Sequence, residues 1–311
     1  MMTFEELAQS LRGQVDILEQ AGDFRVPLAA ITDDSRAVQA GSLFVAVKGE
    51  QVDGHRYVSS ALTNGAGAVV IQEPVPGINR PYLRVADSRK ALGQLGSRFY
   101  GDPSGHLRMI GITGTNGKTT TSYVCKALLE AVGGKVGLIG TVAYQIGSEI
   151  IPASHTTPGA LELQQLLKRM VEGGCSAAVM EVSSHALAQD RVSGCEYDVA
   201  VFSNLTQDHL DFHKTMEEYF QAKLRLFTGL TGTKKPNKRA IVNADDPSGV
   251  RIASLCTAPV WTYGITGKAD LRAEHVQLSL SGTTFMAATP AGTFPVESHL
   301  VGEHNVYNML A

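Results

Sequence analysis

The chain has 311 residues, of which 43% are hydrophobic and 18% charged, and its formal net charge is −3. That length exceeds what one hydrophobic core usually serves and fits two domains, while the composition excludes a disordered chain. No Lys/Arg run is longer than two residues, so no basic face for nucleic acid is expected. No apolar stretch approaches the roughly 18 residues of a membrane span.

The N-terminus, Met-Met-Thr-Phe-Glu-Glu, lacks the basic start and apolar run of a secretory signal, and the expected location is cytoplasmic. Cys125, Cys175, Cys195 and Cys256 form no CxxC pair and read as reduced thiols rather than a zinc or redox motif.

Phe4, Leu7, Ala8 and Leu11 recur at helical spacing. Short apolar runs at Leu28–Ile31, Leu43–Val47, Ala68–Ile71 and Tyr82–Val85 predict strands, with helices at Tyr57–Asn64 and Ser88–Phe99 between and after them. Asp87 or Ser88 is the expected cap of the second helix. The breaker cluster Gly101-Asp102-Pro103-Ser104-Gly105 marks a boundary between a small α/β domain, 1–100, and a second domain, 101–311. The second block alternates strands and helices. The expected strands are Leu107–Ile112, Val136–Ile139, Ala177–Met180, Val199–Phe202 and Ala240–Val242, with helices from Thr119 to about Val132 and around Leu163–Met170. That pattern predicts a mainly parallel sheet. From Leu271 to Val296 the pattern changes to apolar–polar alternation around Ser281-Gly282 and Ala291-Gly292, which predicts an antiparallel edge.

Between the first strand and first helix of that block lies Gly114-Thr115-Asn116-Gly117-Lys118-Thr119-Thr120. A glycine-rich turn opening a helix cradles phosphate through backbone N–H groups and the helix dipole. Lys118 can reach β- and γ-phosphates, and the Thr119 hydroxyl can ligate Mg²⁺. The general GxxxxGK[ST] spacing fails, because its first glycine would fall on Ile112. The variant Gly-Thr-Asn-Gly-Lys-Thr-Thr resembles the phosphate loop of the Mur ligase superfamily, which also includes folylpolyglutamate synthetase. The resemblance implies that ATP converts a carboxylate to an acyl phosphate, which an amine then attacks.

Other residues carry the resemblance further. Glu181 ends an expected strand and opens Glu-Val-Ser-Ser-His; alone it could be a solvated carboxylate. His209 lies in Asn-Leu-Thr-Gln-Asp-His-Leu-Asp-Phe-His and alone could be an ordinary loop histidine. Both motifs resemble the MurE branch of the family. They imply Glu181 and His209 as Mg²⁺ ligands beside Thr119. Thr215 and Glu218 have capping-box form, and Met216, Tyr219, Phe220 and Phe227 mark the inward stripe of the helix they open. Lys223 falls on that stripe, where an apolar or snorkelling residue is expected. The resemblance implies that Lys223, in Tyr-Phe-Gln-Ala-Lys, is carbamylated and joins the metal ligands. Charge favours this, because an ammonium ~6 Å from Mg²⁺ would be repelled by about 5 kcal/mol at an effective dielectric near 20.

For the substrate, Ile31-Thr32-Asp33-Asp34-Ser35-Arg36 and Glu50-Gln51-Val52-Asp53-Gly54-His55 resemble the family's uridine-nucleotide domain. They imply that Asp33, Ser35 and the Glu50, Gln51, Val52 loop hold UDP. His155, Thr156, Thr157, Ser183, Gln189 and Arg191 match segments that hold the muramoyl-peptide; Arg191 alone could be a surface ion pair. Asn305 and Asn308 match the adenine segment, or could cap a helix. The substrate so implied is UDP-MurNAc-L-Ala-D-Glu, with meso-diaminopimelate or L-lysine as acceptor and a monomer as the working form. The family's third domain and its Asp-Asn-Pro-Arg motif are not found in the sequence, so weak or absent turnover is expected of this chain alone. A non-catalytic binding fragment and a folylpolyglutamate synthetase relative are the alternatives.

Overall fold

The computed structural model describes every residue except Glu50, Gln51 and Thr233. The chain divides into two compact units. One comprises Met1–Pro103 with Gly159–Lys168 and Gln189–Cys195; the other comprises Ser104–Pro158, Arg169–Ala188 and Glu196–Ala311. The return of two later segments to the first unit is not visible in the sequence. Its cause is apolar burial: Ala160 and Leu161 join the core of Leu92, Leu95 and Phe4.

In the first unit α1 (Phe4–Ser10), β1 (Ile17–Ala21), β2 (Ala30–Thr32), β3 (Ser42–Val45), α2 (Val58–Thr63), β4 (Ala68–Ile71), β5 (Tyr82–Val85) and α3 (Ser88–Phe99) follow in order. The sheet order is β1-β5-β4-β3-β2, parallel except for β1 against β5. Strands β3 and β4 are buried throughout, as continuous apolar runs in a parallel sheet should be. Strand β1 escapes the sequence reading because its side chains are largely solvent-facing. The Asp87 carboxylate caps α3 by accepting the Lys90 N–H at 3.0 Å.

The second unit holds β6 (Arg108–Thr113), α4 (Lys118–Ala131), β7 (Val136–Ile139), β8 (Ala143–Ile146) and β9 (Glu149–Pro152). After α5 (Ala160–Glu172), which starts in the first unit, come β10 (Ala177–Glu181), α6 (Ser184–Ala188), β11 (Val199–Phe202), α7 (Leu210–His213), α8 (Met216–Thr228), β12 (Arg239–Asn243) and α9 (Pro247–Leu255). The chain closes with β13 (Val260–Gly264), β14 (Leu271–Ser279), β15 (Gly282–Thr289), β16 (Gly292–Ser298) and α10 (Glu303–Leu310). Strands run in the order β16-β15-β14-β13-β12-β11-β6-β10-β7-β8-β9. The run from β14 to β7 is parallel, β15 and β16 form the expected antiparallel edge, and β8 and β9 add a second one that the sequence reading did not anticipate.

Strand β6 lies between β11 and β10; the chain passes from β6 to β7 on one side of this pair and from β10 to β11 on the other. At such a switch point the loops diverge and open a crevice beyond the carboxyl ends of the strands. Thr113, Glu181 and Phe202 all end there. Among the described residues no helix is long and apolar enough to cross a membrane.

Candidate active site at the phosphate loop

Gly114 leaves β6 with φ +150°, and Gly117 opens α4 with φ +87°. Both must be glycine, since a Cβ on Gly114 would stand 1.9 Å from Ser203 Oγ, and one on Gly117 2.2 Å from Asn308 Oδ1. The loop is held from the end of β11. Thr115 N–H donates to the Asn204 carbonyl at 2.8 Å and Asn116 N–H to Asn204 Oδ1 at 2.9 Å, while Ser203 Oγ and Asn204 Nδ2 donate to the Asn116 carbonyl. The first turn of α4, with Lys118, Thr119 and Thr120, faces a cavity of about 250 Å³. Its walls include Thr141, Thr156, Glu181, Ser183, Ser184, His209, Tyr219 and Lys223. The sequence-predicted loop, metal and carboxylate-activating residues therefore meet in one place.

Glu181 is fully buried. Its carboxylate accepts Thr119 Oγ1 at 3.0 Å, Thr141 N at 3.0 Å and Thr141 Oγ1 at 3.1 Å. Thr156 Oγ1 lies 3.0 Å from Thr141 Oγ1, and Thr157 Oγ1 donates to the Glu181 carbonyl at 2.8 Å. His209 sits in the left-handed region, φ 51°, with its side chain half exposed and its ring edge-on to His185 at 4.9 Å. Among the described residues no three His, Cys, Asp or Glu side chains converge on a metal-binding point. Magnesium needs no such cage, because it binds through one or two protein oxygens, phosphate and water. The touching Thr119 hydroxyl and Glu181 carboxylate supply that kind of oxygen pair.

Lys223 is only 1% exposed, so it does not snorkel. Its Nζ donates to the Gly114 carbonyl at 2.9 Å and lies 4.3 Å from the Tyr219 ring centroid. Burial, followed by repulsion from Lys118, pushes its amine well below the usual lysine range, against a weaker pull from Asp208. Lys118 Nζ donates to the Gly114 and Thr115 carbonyls at 2.9 and 2.8 Å. Burial also lowers its pKa, opposed by Glu181 and Asp208. Tyr219 Oη pairs with Thr115 Oγ1 at 3.2 Å and so joins α8 to the loop. Met216, expected on the inward stripe, is 36% exposed, whereas Tyr219, Phe220 and Phe227 are buried. It opens the helix beside its Thr215 cap and falls outside the packed turns.

Asn305 and Asn308 are buried but do not line this cavity. Asn308 Nδ2 donates to Asn305 Oδ1 at 3.0 Å, and Asn305 Nδ2 donates to the Val301 carbonyl at 2.9 Å; Gly302 stands at the cap position of α10, with no side-chain cap. Asn308 instead backs Gly117. The sequence reading gave no role to Ser184, Thr141, Asn204 or Tyr219. Ser184, Asn204 and Tyr219 each lay inside a motif already singled out, Glu-Val-Ser-Ser-His, Asn-Leu-Thr-Gln-Asp-His and Tyr-Phe-Gln-Ala-Lys, whereas Thr141 had no signal.

A second cavity, about 360 Å³, lies within the first unit between Asp33, Val47, Gly49, Arg89, Gln189 and Arg191. Arg191 Nε donates to Gln189 Oε1 at 2.8 Å, and Arg89 donates through Nε and Nη2 to the Lys48 carbonyl. Asp33 and Val52 are exposed, and Ser35 starts a 3₁₀ turn capped by Asp34. Glu50 and Gln51 lie outside the described residues. His155 is exposed, and its backbone N–H and carbonyl bond Tyr144 Oη.

The Mur ligase middle domain matches residues 112–311, and the Mur ligase family catalytic domain matches residues 27–100. The chain belongs to the Mur ligase family. Two similar relatives are both named UDP-N-acetylmuramoyl-L-alanyl-D-glutamate–2,6-diaminopimelate ligase. The one from Geobacter metallireducens is 44% identical over 314 residues, covering 100% of this chain and 60% of the relative. The one from Geobacillus thermodenitrificans is 48% identical over 287 residues, covering 91% and 58%. A solved structure of the same name superposes with a TM-score of 0.86 at 32% identity, covering 100% of this chain and 62% of that one. This Mur ligase chain thus spans about 60% of the length of its relatives.

Proposed function

We propose that this chain is the nucleotide- and UDP-substrate-binding part of an ATP-dependent amide ligase of peptidoglycan synthesis. The ligase joins meso-diaminopimelate, or alternatively L-lysine, to UDP-MurNAc-L-Ala-D-Glu. Residues 1–100 form the UDP-substrate domain and 101–311 the ATP-binding domain. One observation carries the reading: the phosphate loop, Lys118, the Thr119–Glu181 oxygen pair and the buried amine of Lys223 converge on one cavity.

The reaction has two displacements. An oxygen of the D-glutamate γ-carboxylate attacks the γ-phosphorus of ATP, the bond to the β-phosphate oxygen breaks, and ADP leaves. The acceptor's neutral amine then attacks the acyl carbon, phosphate leaves, and the amine gives up one proton. Both reactants of the first step are anions, so the protein's task is to cancel charge and fix geometry. The loop N–H groups and the α4 N-terminus hold the β- and γ-phosphates. Lys118, freed from its carbonyl partners, follows the charge that develops on the transferred phosphoryl. Thr119, Glu181 and His209 would hold Mg²⁺, which supplies Lewis-acid charge neutralisation when bound. Lys223 fits carbamylation: its buried, weakly basic amine is the form that takes up CO₂, and the resulting carboxylate adds oxygen ligands. Asn308, behind Gly117, and Asn305 serve the adenine side.

Thr156, Thr157, His155 and Ser183 orient the peptide carboxylate. Gln189 and Arg191 also hold the muramoyl-peptide, whereas Asp33 and Ser35, with Glu50, Gln51 and Val52, hold the UDP. Arg191 suits a carboxylate or phosphate because its planar fork binds two oxygens at once.

The test is calorimetry of UDP-MurNAc-L-Ala-D-Glu against folate, followed by ADP release with and without the amine acceptor. Saturable binding of the muramoyl substrate and not folate is expected, with little amine-stimulated ADP release from this chain alone. Folate binding in its place would overturn the substrate assignment. Amide formation at full rates would overturn the expectation of weak turnover. Nucleotide and substrate binding with no ADP release would make the chain a binding fragment.

A further inference from the structure

A buried polar atom without a hydrogen-bond partner is uncommon and needs a physical reason. Among the described residues four side-chain atoms are in that position: Thr113 Oγ1, Gln164 Oε1, Ser184 Oγ and His213 Nε2. Gln164 belongs to the first unit. The other three gather around Lys223. Thr113 precedes Gly114, whose carbonyl takes Lys223 Nζ. His213 packs its ring 5.1 Å from that of Tyr219, over which Lys223 Nζ lies. Ser184 starts α6, which packs along α8, and it lines the same cavity as Lys223. Of the three, only Ser184 faces that cavity.

Ser184 is 2% exposed, and a desolvated hydroxyl left unpaired costs free energy. A serine hydroxyl rotates freely about its C–O bond and can donate to an acceptor that arrives later. Lys223 Nζ has one hydrogen bond, to the Gly114 carbonyl, and the deprotonated amine is the form that can attack CO₂. We infer that Ser184 is a positioning residue for Lys223, its hydroxyl donating to an oxygen of the carboxylate formed when the Lys223 amine takes up CO₂. In that step the Nζ lone pair forms a bond to the CO₂ carbon, a C=O electron pair moves onto oxygen, and Nζ releases one proton to water. The inference rests on the carbamate reading of Lys223. It explains why a polar side chain is retained at a buried position with no protein partner: its partner is the modified lysine. The hydrogen bond also fixes the plane of the new carboxylate, which an unassisted carbamate on a flexible lysine stem would not hold.

The test uses the whole chain equilibrated with ¹³C-bicarbonate at fixed pH and fixed magnesium, read by ¹³C NMR. The parent chain is expected to give a protein-bound carbamate resonance that Lys223→Ala lacks. Ser184→Ala should need roughly tenfold more bicarbonate for half occupancy, the loss expected for one hydrogen bond to a charged group. Thermal melting supplies a second readout. Without bicarbonate, Ser184→Ala should melt no lower than the parent, because the deleted hydroxyl has no partner. With bicarbonate the parent should rise, the Ser184→Ala chain should rise less, and Lys223→Ala should not respond. A Ser184→Ala chain with unchanged half-saturation overturns the inference while leaving the carbamate intact. A parent chain with no Lys223-dependent resonance overturns the carbamate reading itself, and the role of Ser184 falls with it.

Discussion

The cavity at the phosphate loop and the cavity around Asp33 and Arg191 are built in opposite ways. In the first, the charged groups are interior. Glu181 and Lys223 are buried, and each is tied to backbone or to a hydroxyl of a neighbouring strand or helix. In the second, Asp33 and Val52 are exposed, Arg191 is half-buried beside Gln189, and the walls are loop segments and the first turns of α3 and α5. The difference matches the two tasks. Moving charge between anions needs dipoles fixed before the reaction begins, and rigid elements supply them. Recognising a large polar substrate needs many moderate contacts, which loops supply at lower cost to the fold. Disturbing the first region should therefore damage stability and nucleotide binding, whereas disturbing the second should change substrate affinity alone.

The largest expected effect is at Gly114. Alanine there would combine a positive φ with a Cβ 1.9 Å from Ser203 Oγ, so Gly114→Ala should destabilise the chain by roughly 3 kcal/mol. Denaturant unfolding measures this, and nucleotide binding should be lost with it. A variant as stable as the parent would mean the loop is not rigid. Next comes Lys118→Ala. Removing its charge-assisted bonds to phosphate should weaken nucleotide affinity about 100-fold with the melting temperature little changed. Binding of the UDP-muramoyl substrate should stay within about twofold.

A smaller effect is expected at Arg191→Lys, which keeps the charge and loses the planar fork. Substrate affinity should fall about tenfold and nucleotide affinity should not move. Equal losses of both would erase the distinction between the regions. The smallest effect concerns acid. The Asp245 carboxylate accepts the N–H groups of Ile265, Thr266 and Gly267 and the Tyr307 hydroxyl. Burial pushes its pKa up, but the Thr266, Ile265 and Tyr307 donors outweigh it and hold the carboxyl at about 2. A depressed carboxylate stabilises the fold above its unfolded pKa near ~4 and loses that contribution as pH falls through about 2. Asp245→Asn should therefore melt lower at neutral pH and lose less between pH 4 and 2. Melting curves that stay parallel to the parent's over that range would remove the electrostatic part of the second unit's rigidity.

Much of the fold was legible because buried parallel strands are written as uninterrupted apolar runs. Ala68–Ile71, Val136–Ile139 and Val199–Phe202 stand where those runs fall. Strands β1 and β9 were not legible, since their largely exposed side chains resemble loop sequence, and β8 was not because its four residues, though mostly buried, are too few and too mixed to mark a strand. The phosphate loop was legible because its backbone conformation demands glycine at fixed positions. The return of Gly159–Lys168 and Gln189–Cys195 to the first unit was not, because it depends on long-range burial of Ala160 and Leu161. Lys223 stood out only as a charge on an apolar stripe. Its link to Gly114, 109 residues away in sequence, is a tertiary fact. Ser184 shows the same limit: its sequence says serine, and only the packing of α6 along α8 leaves its hydroxyl buried and unpaired.

The most direct measurement is a calorimetric titration of Mg²⁺ with a non-hydrolysable ATP analogue into the parent chain and into Lys118→Ala. The phosphate-loop reading predicts saturable one-site binding to the parent that weakens about 100-fold in the variant. Equal affinity in both chains, or no binding to either folded protein, would contradict it.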